Sequence, residues 1–392
     1  MSKEAVLKRV FGYDSFRPGQ EEIIDSVLSG RDTLAVMPTG AGKSLCFQIP
    51  ALMKEGITVV VSPLISLMKD QVNALVQNGV RAAYINRSLS DFQIYKALEN
   101  AKTGMYKIIY VAPERLNTAA FRRVFDIVPL SFLCVDEAHC VSQWGQDFRP
   151  SYLEIKRFTE SLPKRPVVCA VTATATGKVR EDIIKLLDLR DPFVSVQSFD
   201  RKNLFFSCVR PESKPKELRK ILDSHKGIST IIYCSTRRKV ESLYETLSFK
   251  GYSVAKYHAG MSKEDRVENQ DRFIKDKAEI MIATNAFGMG IDKSNVYLIV
   301  HYNMPGDIES YYQEAGRAGR DGENAECILL YNGQDIITQR YFIDNSEENA
   351  GMTEEEREAY KIIQLRRLYA MIDYTEYINR EITSKREEFG LS

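Results

Sequence analysis

Along most of the chain, short aliphatic and β-branched runs alternate with amphipathic stretches. Residues 33–37, 58–62, 107–112, 132–135 and 167–171 are almost uninterruptedly apolar. Such runs predict strands covered on both faces, because a strand with one wet face would alternate. Between them, residues 66–77 and 176–187 carry apolar positions at helical spacing. The alternation predicts a parallel sheet with helices on both sides. The pattern pauses around residues 195–215, where Asp200-Arg201-Lys202-Asn203 and the polar stretch 211–215 read as a linker. It restarts with strand-like runs at 230–234, 279–283, 297–300 and 325–330. Two α/β domains in tandem, over residues 1–200 and 201–345, are the simplest account. The remainder, 346–392, reads differently. Gly351 punctuates the chain, Thr353 and Glu356 are spaced as a capping box, and Ile362, Leu365, Leu368, Tyr369 and Ile372 recur at helical spacing. This predicts a short helical tail that packs on one face, its many charges forming a solvated side.

Composition narrows the class. With 392 residues the chain is long enough for two or three domains at roughly 150 residues each. Hydrophobic residues make up 44% and charged residues 27%, values that exclude a disordered or collagenous chain. Lysine and arginine number 54 against 53 acidic residues, so any nucleic-acid contact must be a local groove rather than a basic coat. No apolar run approaches the ~20 residues that span a bilayer. The first residues carry no signal-peptide core. Seven scattered cysteines without a Cys-x-x-Cys pair fit a reducing compartment, the cytosol or the nucleus, and speak against a disulfide framework or a zinc module.

The strongest local chemistry is Met37-Pro38-Thr39-Gly40-Ala41-Gly42-Lys43-Ser44, which follows an apolar strand and should open a helix. Glycines let backbone N–H groups approach phosphate oxygens, and the helix N-terminus adds positive potential. Lys43 would reach the β- and γ-phosphates and the Ser44 hydroxyl would ligate Mg²⁺. Met37 stands where the strict pattern has glycine. Asp136-Glu137-Ala138-His139 follows the run 132–135, at the strand end where open α/β sheets bind ligands. There Asp136 can hold Mg²⁺ through water and Glu137 can orient or deprotonate a water. A transition metal chelated by Asp136, Glu137 and His139 is disfavoured, since three residues so close at a strand end do not converge on one ion. Gln313-Glu314-Ala315-Gly316-Arg317-Ala318-Gly319-Arg320 places two arginines three apart among glycines. Alone it reads as an arginine-rich helix end. Beside a phosphate cradle that has no arginine in its own motifs, it suits charge neutralisation in phosphoryl transfer, worth roughly 10³–10⁵ in rate. Phe16-Arg17-Pro18-Gly19-Gln20 is weaker evidence: a Gln amide can pair with adenine N6 and N7, but glutamine is common on surfaces.

Taken together these motifs resemble the superfamily-2 helicases, and among them the RecQ family of DNA helicases, over roughly residues 8–340. Phe16, Arg17 and Gln20 are similar to the adenine-reading segment, and Thr39, Gly40, Ala41, Gly42, Lys43 and Ser44 to the phosphate loop. Ser62-Pro63-Leu64-Ile65-Ser66-Leu67-Met68-Lys69-Asp70-Gln71 and Ala112-Pro113-Glu114-Arg115-Leu116 resemble DNA-tracking motifs. Asp136 to His139 has the family's DEAH wording, and Thr172-Ala173-Thr174 resembles the motif that links hydrolysis to DNA handling. Tyr233-Cys234-Ser235-Thr236-Arg237, His258-Ala259-Gly260-Met261 and Ala283-Thr284-Asn285-Ala286-Phe287-Gly288-Met289-Gly290-Ile291-Asp292 follow in order. The most specific stretch is Ser142-Gln143-Trp144-Gly145-Gln146-Asp147-Phe148-Arg149-Pro150, similar to the family's aromatic-rich loop, which senses single-stranded DNA. A lone tryptophan is commonly core. With polar and basic neighbours it suits base stacking, worth ~1–3 kcal/mol per base. The sequence departs from the family at Gln146, usually His; at Lys202, usually Pro; and at Asn379, where a zinc-ligating Cys is usual, with no later cysteine.

The resemblance implies two tandem RecA-like domains with parallel sheets, ATP and Mg²⁺ as cofactors, and no zinc in this chain. Lys43, Asp136, Glu137, His139, Gln313, Arg317 and Arg320 would carry hydrolysis, and Ser44 with Asp136 would hold the metal. ATP would lie between the domains, with Arg317 and Arg320 completing the site on closure. DNA would run over Ser62, Lys69, Gln71, Arg115, Gln143, Trp144, Phe148, Arg149, Thr236, His258, Thr284 and Met289. The implied activity is 3′→5′ movement on single-stranded DNA with unwinding of tailed duplexes, by a monomer that has no membrane partner. Two alternatives stay open: an RNA helicase on the same scaffold, and a DNA-stimulated ATPase or annealing factor that unwinds poorly.

Overall fold

The computed structural model describes residues 1–145, 147–198, 200–287, 293–346 and 353–388, with side chains of the tail described to residue 378. Gln146, the segment 288–292 that includes Met289, Gly351 and the side chain of Asn379 lie outside the described residues. The chain divides into two compact units, Met1–Phe199 and Asp200–Ser392.

The first unit holds β1 (Thr33–Val36), β2 (Ile57–Val61), β3 (Ala82–Ile85), β4 (Ile108–Val111), β5 (Leu130–Val135), β6 (Val168–Thr172) and β7 (Phe193–Val196). They form one sheet in the order β3-β4-β2-β5-β6-β1-β7, with every neighbouring pair parallel. Successive residues of a strand enter opposite cores. Leu133 and Val135 of β5 join the cluster containing Leu34, Val36 and Phe158, while Phe132 and Cys134 join the one containing Phe47, Met68 and Tyr110. Both faces are dry, which is why these strands read as continuous apolar runs.

The second unit repeats the plan with β8 (Leu204–Val209), β9 (Thr230–Tyr233), β10 (Val254–Tyr257), β11 (Ile280–Ala283), β12 (Leu298–His301) and β13 (Ala325–Leu330). Its order is β10-β11-β9-β12-β13-β8, again all parallel. The α/β class and parallel sheets are as the alternation predicts. Four strands have no counterpart in that reading: β3, β7, β8 and β10. They are the edges of the two sheets, and an edge strand is partly wet. β7 alternates half-buried and exposed, and Phe205 of β8 is exposed, so the apolar-run signal fails there. The stretch read as a linker therefore contains the end of β7 and the whole of β8.

The tail is one helix, Glu354–Glu388. Its start is the predicted capping box: the Glu356 N–H donates to Thr353 Oγ1 at 3.2 Å and the Thr353 N–H to Glu356 Oε2 at 2.9 Å. The predicted apolar stripe holds in part: Leu368 is buried, Ile372 packs against the same core and Leu365 is half-buried. Among its described side chains Leu368, Met371 and Thr375 are buried, the first two packed with Cys208, Met304, Tyr311 and Leu329 of the second unit, whereas Ile362 and Tyr369 are nearly half exposed. At ~100° per residue, Ile362 and Tyr369 lie well round the helix from Met371, and contact with the sheet decides which side is inside. Among the described residues no helix is long and apolar enough to cross a membrane, and no group of three or more His, Cys, Asp or Glu side chains is placed to hold a metal ion. All seven cysteines are free and buried.

Candidate nucleotide and nucleic-acid sites

In the first unit, β5, β6 and β1 lie side by side, and each ends in a motif at the carboxyl edge of the sheet. β1 runs into the glycine loop and then the helix Lys43–Met53. Gly40 and Gly42 sit at φ 86° and 78°, the left-handed region that side chains resist, and Gly42 caps the helix. The Lys43 ammonium donates to Met37 O at 3.2 Å and Pro38 O at 3.5 Å, so it is folded over the loop it serves. Thr39 and Ser44 are half-buried beside it.

Asp136 follows β5 directly. Its Oδ1 accepts the Glu137 N–H at 3.0 Å, and its carbonyl accepts the Tyr152 hydroxyl at 2.9 Å. Burial, with the neighbouring Glu137 charge, pushes its carboxyl up to about 7, against the pull of Lys43 and the Glu137 N–H. Lys43, Asp136 and Glu137 are thus brought within electrostatic reach of one another. Glu137 has φ 47° and ψ 48°, a conformation non-glycine residues rarely hold and one that clusters at functional sites. Its Oε2 is buried without a hydrogen-bond partner, 3.4 Å from His139 Nδ1. Thr172 Oγ1 donates to Thr174 O at 3.1 Å and lies 2.8 Å from His139 Nδ1, so Nδ1 carries the proton and donates to it. Burial keeps the ring neutral, overriding the raising effect of Glu137 and Asp147. The DEAH turn is thereby tied to the end of β6.

The residues expected to read adenine are differently occupied. Gln20 is 1% exposed: Nε2 donates to Ala41 O at 3.0 Å and Gly42 O at 3.1 Å, while Oε1 accepts the Arg17 N–H at 2.9 Å. Arg17 donates to Gly40 O, and Phe16 packs beside Ile24 and Ile49. In this structure the segment braces the phosphate loop, because its polar atoms find the loop's carbonyls first.

The tryptophan loop grows out of the same turn. Ser142 N–H donates to His139 O, Gly145 N–H to Ser142 O, and Arg149 N–H to Cys140 O. A Cβ on Gly145 would strike the His139 carbonyl, so only glycine fits this close approach. Gln143 and Trp144 are exposed, Trp144 at 40%, and Phe148 is half-buried. Trp144 is therefore not core. Arg149 makes two contacts to Asp147 Oδ2, at 2.7 and 2.9 Å, and donates to Pro63 O at 3.0 Å, which joins this loop to the segment after β2. Lys69 is exposed, Gln71 accepts from Gln48 Nε2 at 2.9 Å, and Arg115 is half-buried. Ser62 is a correction: it is fully buried with its hydroxyl unpartnered, so that side chain reaches no surface ligand.

In the second unit Thr236 caps the helix Arg237–Phe249. His258 also departs from expectation. It is buried, Nδ1 accepts the Gly260 N–H at 3.2 Å, and Nε2–H donates to Glu241 Oε1 at 2.7 Å, leaving no ring nitrogen for DNA. Thr284 is buried likewise, its hydroxyl accepting the Ala286 N–H. The helix Ile308–Ala315 carries Gln313 and leads into the two arginines. Gln313 and Arg317 are buried, and Arg320 is half-buried. Arg317 lies on the Tyr233 hydroxyl, which donates to Phe287 O at 3.1 Å. Burial raises that phenol to about 12, with Arg317 opposing. His301 stacks on Tyr233 at 5.3 Å and its Nε2–H donates to Glu314 Oε2 at 2.9 Å. Tyr152 and His301 support these motifs without any sequence signal, Tyr233 belongs to a quoted motif but with no role read for it, and Arg201 and Asn203 read only as linker. Their signal is long-range contact, and no local spacing encodes it.

Chemically, the first unit offers backbone N–H groups at a helix start, a lysine, and the buried Asp136 beside the half-buried Glu137, one of whose oxygens has no hydrogen-bond partner. Oxygen donors at Ser44 and Asp136 are of the kind Mg²⁺ takes, so the residues present fit a magnesium nucleotide. The comparisons agree. Residues 17–183 match the DEAD/DEAH box helicase family and residues 213–322 the helicase conserved C-terminal domain. The chain is 45% identical to the ATP-dependent DNA helicase RecQ of Bacillus subtilis, over 95% of this chain and 61% of that protein. It is 40% identical to the putative ATP-dependent RNA helicase R290 of Acanthamoeba polyphaga mimivirus, over 96% of this chain and 70% of that protein. The chain spans little more than half the length of the bacterial relatives it matches. In fold it is similar to Saccharomyces cerevisiae Dbp5 bound to RNA and ADP BeF3, with a TM-score of 0.68 at 19% identity, covering 93% of this chain and 97% of that one. Its two parallel-sheet units are tandem RecA-like domains, and the chain belongs to the RecQ family of superfamily-2 helicases.

Proposed function

We propose that this chain is an ATP-driven motor on single-stranded DNA, moving 3′→5′ and separating tailed duplexes in DNA repair and recombination. The observation that carries the reading is the strained, half-buried Glu137 beside Asp136 and Lys43, with one buried carboxylate oxygen that has no hydrogen-bond partner where a water would be oriented. The loop N–H groups and Lys43 hold the phosphates, and Asp136 with Ser44 holds Mg²⁺. The bound ion supplies charge neutralisation on the phosphate oxygens. Glu137 orients the attacking water and takes its proton. Arg317 and Arg320 stabilise the charge on the transferring group, and Gln313 accompanies them. His139 relays the state of this site through Thr172 to the DNA-handling loops, where Trp144 and Phe148 stack on bases and Arg149, Lys69, Gln71, Arg115, Gln143 and Thr236 meet the strand.

The test is Glu137→Gln. Nucleotide binding should persist while DNA-stimulated hydrolysis collapses, and retained hydrolysis would refute the assignment. A second reading, an RNA motor, draws on the viral relative described as a putative RNA helicase. Comparing ATPase stimulation by single-stranded DNA and RNA of the same sequence decides between them. Turnover without strand displacement on a 3′-tailed duplex would favour an annealing or switch role.

A further inference from the structure

The residues that open the second unit grip its arginine turn. Arg201 Nη1 donates to Gly316 O at 2.9 Å, and Nη2 donates to Ala318 O at 3.0 Å and Gly319 O at 2.5 Å. Asn203 Nδ2 donates to Gly319 O at 3.0 Å and Glu323 O at 2.8 Å. Gly319 holds φ 54°, and a Cβ there would come within 2.5 Å of both Asn203 Nδ2 and Glu323 O. On the other side, the Gly319 N–H donates to Val296 O at 2.9 Å. The backbone between Arg317 and Arg320 is therefore held along its length.

We infer that Arg201, seconded by Asn203, is a positioning residue for Arg317 and Arg320, and so for the transition state of hydrolysis. The inference rests on the ATPase reading above. The carbonyls of Gly316, Ala318 and Gly319 follow the C-terminal end of the helix Ile308–Ala315, where a cation is favoured by the helix dipole. A simple end-cap would satisfy one or two of them. The planar fork of Arg201 engages three, and this sets the orientation of the peptide planes from which both arginines project. Arg201 is also the second residue of its unit, so the segment that opens the second unit and the turn that bears the arginines are joined by hydrogen bonds. An arginine acts on a transferring phosphoryl group only when placed closely, and an error near 1 Å costs on the order of 10²-fold.

The experiment uses the full chain and measures single-stranded-DNA-stimulated ATPase, with kcat and KM separated, alongside urea unfolding. Arg201→Ala should lower kcat by roughly 10–100-fold and leave KM for ATP within about twofold, since the phosphate loop is untouched. Arg201→Lys, which keeps charge but not the fork, should fall between. In an Arg320→Lys background, adding Arg201→Ala should cost less than about twofold more, because both changes act through one turn. An unchanged kcat in folded Arg201→Ala, or the same fold-loss in both backgrounds, overturns the inference and leaves an ordinary helix cap. Should Arg201→Ala not fold, Arg201→Lys and Asn203→Ala are judged by the same two criteria. If Arg317→Ala and Arg320→Ala leave kcat unchanged, the ATPase reading itself fails. If they abolish turnover while the Arg201 variants keep it, only this inference does.

Discussion

At the scale of the residue, the site is built from positions where an ordinary side chain would not do. Gly42 needs a left-handed backbone, and a Cβ there would also collide with the Gln20 amide. Gly12 has a similar φ of 77° with open space around it. Gly42→Ala should therefore cost more stability than Gly12→Ala, for which φ strain alone is on the order of 1 kcal/mol, and should weaken ATP binding where Gly12→Ala does not. Urea unfolding and nucleotide titration check both. A second residue-scale prediction concerns pH. Burial works to raise the Glu241 carboxyl, but its bonds to Lys256 Nζ at 2.6 Å and His258 Nε2 at 2.7 Å outweigh this and hold it below its ordinary value of 4.5. A depressed carboxyl contributes stability above its unfolded pKa and loses it as pH falls through the folded one. The gap in unfolding midpoint between wild type and Glu241→Gln should thus be full above pH 4.5 and close on further acidification.

At the scale of the element, the tail helix shows where pattern and packing part company. Its cap is local and was readable, since Thr353 and Glu356 need only each other. Its buried face was readable only in part: Leu368 and Ile372 lie on it, but Ile362 and Tyr369 do not, because a helix with apolar residues on several sides takes its inward side from what it meets. It meets β8 and the helix Ile308–Ala315, with Tyr374 against Tyr311 at a ring separation of 5.7 Å. Leu368→Ala should destabilise the second unit by about 2–5 kcal/mol, while Ile362→Ala should cost well under half of that. Denaturant midpoints of the two variants measure the difference, and equal losses would mean the stripe is inside after all. The edge strands teach the same point: β3, β7, β8 and β10 carry mixed patterns because one side or end of each is wet.

At the scale of the whole molecule, the residues of the proposed chemistry are divided between two units with separate cores. Lys43, Asp136 and Glu137 belong to the first, and Arg317 and Arg320 to the second. A fragment of residues 1–199 keeps its seven-stranded sheet and both cores, so it should fold alone and bind ATP. Without the arginines its hydrolysis should be slower by roughly 10³-fold or more than that of the DNA-stimulated full chain. Circular dichroism, nucleotide titration and phosphate release test this in turn, and a fragment with full turnover would place the charge-neutralising groups elsewhere.

The sequence alone determined the class of fold, the central strands and the phosphate and DEAH motifs, because burial on both faces and a loop for phosphates each leave a contiguous signature. The tertiary structure alone decided what those motifs lean on. Gln20 turned to the loop, Ser62, His258 and Thr284 went inside, and Arg201 left its place in an apparent linker to hold the arginine turn across more than a hundred residues. Hydrogen bonds between residues so far apart obey geometry, not spacing, and no local pattern announces them.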